Sequence, residues 1–256
     1  MLLIDVGNTK TALAWADQGK ILYSWKIATH AHRLKDEYIV FINQVFKEKN
    51  LPSINDETPV VLCSVVPKVS SELTKLSKRV FVLHSAIEVS FKIKVESPHT
   101  IGADRLADLE AALQHYETPL IVIDFGTATT LSVVNEKKEF IGGLICPGFG
   151  ISAEALFEKA AALSSIHYNK SDSIVGFNTQ TALSNGVCMG HASMVEALVQ
   201  KICAEKQWTK TQVIATGGAL DSIGQYLPNN FIAHEHLALH GLLKLGEKQF
   251  FKKNKA

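Results

Sequence analysis

The sequence predicts an α/β protein of two similar lobes, each with a mixed sheet and helices, and a nucleotide cleft between the lobes. One short pattern occurs twice: strand-forming residues lead into Asp5 and a glycine turn, and again into Asp124 and a glycine turn, 119 positions later (124 minus 5). Strand patterns come first and helix patterns second in each half. This repeated order predicts two lobes, residues 1–116 and 117–256.

In the first half, three loosely alternating strand patterns precede a helix whose apolar residues are three and four apart. A buried strand lies between Pro59 and Pro67, and a helix start is expected at Ser70. The other predicted elements of this half are strands at 1–6, 11–16, 21–28 and 79–83 and helices at 33–49 and 104–116.

In the second half, the order strand, glycine turn, strand, hairpin, strand repeats that of the first half. The hairpin turn is expected between Asn135 and Lys138. Helices are predicted at 151–163 and 185–206, followed by a strand at 211–215. The repetition is the main sequence argument for a duplicated fold.

Composition excludes several classes of protein. The net charge of +1 disfavours a nucleic-acid binder and gives no attraction to anionic membranes. No apolar run approaches the roughly 20 residues that span a bilayer, and we expect no signal peptide. The four cysteines have no CxxC spacing, so they are expected to be reduced thiols in a cytoplasmic protein.

The two aspartate–glycine turns are candidate phosphate-binding segments. A turn that exposes backbone N–H groups beside a carboxylate can bind phosphate oxygens and hold Mg²⁺. Taken alone, the turn after Asp5 favours an ordinary hairpin, since Asp, Gly and Asn are common turn residues. Its recurrence at Asp124 favours two turns that converge on one phosphate chain.

Residues 100–105 precede an amphipathic helix and contain adjacent acidic and basic side chains. Asp104 could be a first-turn acid of that helix, and Arg105 could form a solvated pair with Asp108. Beside a bound phosphate chain, the carboxylate could instead orient or deprotonate an acceptor hydroxyl while the guanidinium holds an anionic group.

Two further glycine-rich segments are weaker signals. Thr216-Gly217-Gly218 follows a strand, where a nucleoside could lie against the backbone. The segment 142–148, which ends in Pro-Gly, predicts a close turn before a helix and could form a wall of an acceptor pocket.

Together these segments resemble the type III pantothenate kinase family, whose fold is the duplicated actin-like, ribonuclease H-like fold of acetate and sugar kinases, heat-shock ATPases and actin. The resemblance extends over roughly residues 1–243. The matching motifs, in order, are Asp-Val-Gly-Asn-Thr at 5–9, Ser-Val-Val-Pro at 64–67, Gly-Ala-Asp-Arg at 102–105, Asp-Phe-Gly-Thr-Ala at 124–128, Gly-Gly-x-Ile-x-Pro-Gly at 142–148, Asn-Thr at 178–179 and Thr-Gly-Gly at 216–218.

The resemblance implies ATP-dependent phosphorylation of pantothenate to 4′-phosphopantothenate, the first step of coenzyme A synthesis, by a cytoplasmic homodimer. It implies that Asp104 is the proton acceptor. The implied ATP-binding residues are Asp5, Val6, Gly7, Asn8, Thr9, Lys10 and Thr127. The implied pantothenate-binding residues are Gly102, Ala103, Asp104, Arg105 and Thr179. Asp5 would hold Mg²⁺ through ATP, and Asp124 would bind a monovalent cation, K⁺ or NH₄⁺.

Two departures from the family pattern stand out. Val95 occupies the place of a tyrosine that contacts pantothenate in the family. The C-terminal motif is replaced by a segment with His234, His236 and His240, which lacks the His-Glu-x-x-His pattern of a metal site. The Val95 departure keeps open an alternative, a non-catalytic regulatory or accessory protein on the same fold.

Overall fold

The computed structural model describes residues 1–159 and 173–251, and the chain divides into two compact units. The first unit contains residues 1–91, 96–114 and the C-terminal segment from Leu237. The second contains residues 92–95 and 115–236. The two lobes of the sequence analysis, 1–116 and 117–256, stay a prediction.

Each unit contains a run of three consecutive strands that is followed by helices and further strands. In the described residues, the strands in chain order are β1 (Leu2–Val6), β2 (Lys10–Asp17), β3 (Lys20–Ala28), β4 (Val60–Ser64), β5 (Val80–Val82), β6 (Lys92–Ile93), β7 (Leu120–Phe125), β8 (Ala128–Val134), β9 (Glu139–Pro147), β10 (Gln212–Thr216) and β11 (Phe231–Ala233). The helices are α1 (Lys35–Glu48), α2 (Pro67–Leu73), α3 (Ala103–His115), α4 (Phe149–Lys159), α5 (Thr179–Lys206), α6 (Leu220–Ile223) and α7 (Leu237–Phe251). Short 3₁₀ turns lie at Pro98–Thr100 and Gly224–Tyr226.

The two sheets have the same topology. The first has the strand order β3-β2-β1-β4-β5, and the second contains the corresponding order β9-β8-β7-β10-β11, with β6 added beside β9. In each sheet the first strand forms an antiparallel hairpin with the second. On its other side the first strand pairs in parallel with β4 or β10, and that strand pairs in parallel with β5 or β11. The predicted duplication is therefore present strand for strand.

The first sheet is covered on both faces, and this fixes the direction of Asp5. Leu2, Ile4 and Val6 of β1 pack in the cluster that contains α1 and α2. Leu3 packs on the opposite face with α7 and with Ala107 of α3. Since side chains alternate along a strand, Asp5 lies on the same face as Leu3, the face on which α7 and Ala107 of α3 pack.

In the second unit the same alternation determines on which face of the sheet the Asp124 side chain lies. Ile121, Ile123 and Phe125 of β7 pack with Val195 and other residues of α5. Asp124 lies between two of these core residues in sequence, so its side chain is on the opposite face of the sheet.

Two predicted helix starts were wrong. The second helix begins at Pro67 instead of Ser70, because proline is well suited to the first turn of a helix. The long helix begins at Thr179 instead of 185, because the Asn178 side chain accepts a hydrogen bond from the Thr181 N–H and caps it. Residues 160–163 of the helix predicted at 151–163 lie outside the described residues. Other predicted boundaries agree to within about two residues. Among the helices in the described ranges, none has the length and apolar character required to cross a bilayer.

Candidate active site

The first unit brings three carboxylates near Cys63; we call Asp5, Asp104 and Asp108 the carboxylate cluster. Asp5 on β1 pairs in register with Cys63 on the parallel strand β4. The Cys63 thiol is buried and donates a hydrogen bond to Asp5. Burial, followed by the negative charges of the cluster, raises the pKa of the Cys63 thiol well above its usual value. Cys63 is therefore a neutral donor beside Asp5.

Two members of the cluster come from α3. Asp104 and Asp108 are four residues apart and so share one helix face. Asp108 is only 5% exposed, and Asp104 is half-buried. Arg105 lies beside both: burial lowers the pKa of its guanidinium, and the two carboxylates partly oppose that effect. An arginine remains protonated at neutral pH even with this shift, so the side chain keeps its positive charge.

Gly102 allows the Asp104 carboxylate to fold back over the start of α3. A Cβ at Gly102 would lie 2.3 Å from Asp104 Oδ1. The same oxygen accepts a hydrogen bond from the Arg105 N–H at 2.8 Å. The Gly-Ala-Asp-Arg motif thus fixes the direction of the carboxylate that is predicted to act on the acceptor hydroxyl.

The first turn, residues 7–10, joins β1 to β2 directly after Asp5. The Gly7 N–H donates to the Lys10 carbonyl at 3.0 Å, which closes the turn. Asn8, Thr9 and Lys10 are exposed, whereas Val6 is buried in the core, 1% exposed. Any contact from Val6 to a ligand must therefore be made by its backbone.

The second turn, Gly126 and Thr127, occupies the corresponding position in the second unit. Asp124 on β7 pairs in register with Thr216 on β10, just as Asp5 pairs with Cys63. Thr127 is exposed. A Cβ at Gly148 would lie 2.0 Å from the Thr127 carbonyl oxygen, so the start of α4 packs directly against this turn.

Gly217 brings the backbone close to Asp124. Its φ is +105°, and a Cβ there would lie 2.3 Å from Asp124 Oδ1. The first glycine of the Thr-Gly-Gly motif is thus required by the carboxylate beside it, while Gly218 has open space around it.

The other residues singled out from the sequence, Thr179, Val95 and His234, lie in the second unit. Thr179 is the first residue of α5 and is exposed. Val95 is half-buried and follows β6, which pairs with β9. His234 Nδ1 is hydrogen-bonded to the Tyr116 hydroxyl at 2.7 Å. In residues 1–159 and 173–251, no three His, Cys, Asp or Glu side chains are grouped as a metal site.

The comparisons with known proteins decide the family. The model of type III pantothenate kinase matches residues 1–201. A type III pantothenate kinase from Bacillus cytotoxicus is 38% identical over 253 residues, which cover 97% of this chain and 96% of that protein. The chain belongs to the type III pantothenate kinase family. The family predicted from the order of the motifs is confirmed.

Solved structures confirm the duplicated actin-like fold. Component A of (R)-2-hydroxyglutaryl-CoA dehydratase from Acidaminococcus fermentans has a TM-score of 0.57 and 14% identity, covering 96% of this chain and 97% of that one. A conserved candidate Baf family transcriptional activator from Campylobacter jejuni has a TM-score of 0.59 and 18% identity, covering 97% and 98%. At these identities the likeness concerns the fold alone.

Three residues near the site were given no ligand-binding role by the sequence: Cys63, Thr216 and Asp108. Asp108 was considered only as a partner of Arg105, although its spacing from Asp104 places both on one helix face. Thr216 was recognised only as part of the Thr-Gly-Gly motif. The pairing of Cys63 with Asp5 and of Thr216 with Asp124 could not be predicted, because it depends on the register of parallel strands distant in sequence.

Proposed function

We propose that this kinase transfers the γ-phosphoryl group of ATP to the 4′-hydroxyl of pantothenate, with Asp104 as the proton acceptor. The observation that carries the assignment of residues is the carboxylate cluster, in which Asp5 and Asp104 come from different elements to the surroundings of Cys63. A kinase of this kind needs one carboxylate for the metal–nucleotide and another for the acceptor hydroxyl.

The two turns would hold the ATP phosphates. Their exposed backbone and hydroxyl groups are suited to phosphate oxygens, and each turn follows a strand that ends beside a carboxylate. We assign the nucleotide to residues 5–10 and to Thr127. Phosphoryl transfer has a loose transition state, so these groups act mainly by positioning the phosphates and neutralising charge.

The residues present fit a magnesium ion that arrives with ATP. Magnesium is usually held by one or two carboxylates together with substrate phosphates, without a complete protein cage. Asp5 supplies one such carboxylate, and the Cys63 thiol holds it by a hydrogen bond. When bound, the ion would neutralise charge on the phosphates.

Asp104 would accept the proton of the pantothenate hydroxyl late in the reaction or orient that hydroxyl for attack. Arg105 would hold an anionic or polar group of pantothenate, together with Gly102, Ala103 and Thr179. The guanidinium is half-buried and experiences the negative charges of Asp104 and Asp108, and its planar shape suits a bidentate contact with an anionic group.

Asp124 would bind a monovalent cation, K⁺ or NH₄⁺. It lies in register with the Thr216 side chain and against Gly217, so oxygen ligands and close backbone are both present. Hard cations prefer such oxygen ligands.

We further propose a cytoplasmic homodimer. Ile145 of β9 is 71% exposed, and Ile151 of α4, six residues later, is also exposed. Exposed apolar side chains on two consecutive elements are compatible with a surface that a second copy covers.

The proposal is tested by ADP release with Mg²⁺-ATP, with and without pantothenate, in potassium and then in sodium buffer. Pantothenate-dependent release that falls in sodium supports both the kinase and the cation role of Asp124. Equal release in both buffers removes the cation assignment. No pantothenate-dependent release in either buffer would favour the regulatory alternative, and Val95→Tyr is then the first variant to test for activity.

A further inference from the structure

Thr29, which lies outside every motif discussed so far, contacts the first turn in two places. It follows β3 directly and is half-buried. Its hydroxyl donates to the Gly7 carbonyl at 2.8 Å, and its backbone N–H donates to the Thr9 carbonyl at 3.0 Å. Two carbonyl oxygens of the turn are thus directed toward one residue.

A second hydroxyl fixes the direction of this contact. Thr11 Oγ1 on β2 lies 2.9 Å from Thr29 Oγ1 and is fully buried, 0% exposed. A threonine hydroxyl has one proton, and that of Thr29 is donated to Gly7. Thr11 must therefore be the donor to Thr29. The result is a relay of two hydrogen bonds, from Thr11 to Thr29 and from Thr29 to the Gly7 carbonyl. Each hydrogen bond in such a chain polarises and strengthens the next.

The relay determines where the turn presents its own donor. A trans peptide is planar, so its N–H points opposite to its C=O. Because the Gly7 carbonyl is held toward Thr29, the Asn8 N–H of the same peptide points away from Thr29. Asn8 is exposed, and the N–H of an exposed turn can donate a hydrogen bond to a phosphate oxygen.

We propose that Thr29, supported by Thr11, is a positioning residue for nucleotide phosphate: it orients the Asn8 peptide without touching the ligand. This inference rests on the proposed assignment of the first turn to ATP. It differs from a purely structural role, in which Thr29 would join the end of β3 to the hairpin and affect both substrates equally.

Thr29→Val tests the proposal with little change in shape. Valine keeps the backbone N–H bond to Thr9 but removes the hydroxyl, whereas Thr29→Ser keeps the hydroxyl. We expect Thr29→Val to raise the KM for ATP about tenfold, the effect of one lost hydrogen bond, and to leave the KM for pantothenate within about twofold. Thr29→Ser should restore the parent KM for ATP.

Two more variants separate positioning from stability. Thr58→Val removes another buried hydroxyl from a turn of the same unit and should leave the KM for ATP unchanged. Thr11→Val removes only the donor to Thr29, so it should raise the KM for ATP by less than Thr29→Val does. If Thr29→Val does not fold, the KM for ATP of Thr11→Val still tests the proposal.

Calorimetric titration with Mg²⁺-ADP, without pantothenate, distinguishes failure of this inference from failure of the proposed function. Weaker binding by Thr29→Val than by Thr29→Ser supports positioning, even if the parent protein does not phosphorylate pantothenate. Equal binding by the two variants overturns it, as would a loss of affinity that Thr58→Val reproduces. A parent protein that binds no nucleotide overturns both claims.

Discussion

The Cys63 thiol donates a hydrogen bond to the Asp5 carboxylate from the neighbouring parallel strand. Thr216 occupies the corresponding place beside Asp124 in the second unit. The duplicated sheet thus puts a side chain that can donate a hydrogen bond in register with each of the two candidate site carboxylates. A donor in this place favours the charged carboxylate that a cation requires.

Cys63 should resist alkylation in the folded protein. Iodoacetamide reacts with the thiolate, and burial together with the carboxylate cluster raises the pKa of Cys63. At mildly alkaline pH the partly exposed Cys146 should be labelled first, and Cys63 only after unfolding in urea. Peptide mass spectrometry measures both. Labelling of native Cys63 as fast as that of Cys146 would contradict this account of its surroundings.

Gly148→Ala should disturb the second turn. The new Cβ would meet the Thr127 carbonyl, so either the turn or α4 must move. We expect a loss of about 1–3 kcal/mol in the free energy of unfolding and a higher KM for ATP. Gly150→Ala is the matched control, because it adds a methyl group to open space only two residues away, in the first turn of α4. Similar behaviour of the two variants would refute the close packing.

Gly217→Ala should lower the free energy of unfolding, whereas Gly218→Ala should leave it almost unchanged. Gly217 has a φ of +105° and lies against Asp124 and the Phe125 backbone. Strain of this kind costs about 1–3 kcal/mol, whereas alanine at Gly218 should change stability by no more than about 0.5 kcal/mol. Urea unfolding of the two variants provides the comparison. Equal midpoints would show that the conformation of Gly217 is not required.

Acid should weaken the fold through His191. Burial lowers the pKa of His191, whose Nε2 lies 2.9 Å from the Thr129 hydroxyl. The unfolded chain therefore binds a proton near pH 6.5 that the folded chain does not, so stability falls as the pH falls below that value. Between about pH 7.5 and 5.5, the parent should lose up to about 1 kcal/mol more than His191→Gln. If the free energy of unfolding changes with pH in the same way in the parent and in His191→Gln, His191 does not cause the loss of stability in acid.

Much of the fold was predictable, because its strands and helices follow local patterns. The repeated strand–aspartate–glycine order predicted the duplication, and the strand order of the two sheets reproduces it. The errors were at two helix starts and in the segment 142–148, which was predicted as a turn although residues 142–147 belong to β9. Pro67 was interpreted as the end of a strand although it begins α2, and the Asn178 cap was not recognised.

The contacts that support the site were not predictable from local sequence. Thr29 meets Gly7 only because β3 returns beside β2, and Cys63 meets Asp5 only through the register of β1 and β4. His191 and Thr129 are 62 residues apart. Candidate ligand-binding residues can be found from the spacing of motifs, whereas the residues that hold them in place depend on tertiary pairing.

The central claim is tested most directly by following labelled γ-phosphate from ATP in the parent protein and in Asp104→Asn. The parent should place the label on pantothenate. Asp104→Asn should bind ATP almost normally but transfer the label about 100-fold more slowly or worse. Label appearing only as inorganic phosphate, at a rate that pantothenate does not change, would contradict the claim, as would full transfer by Asp104→Asn.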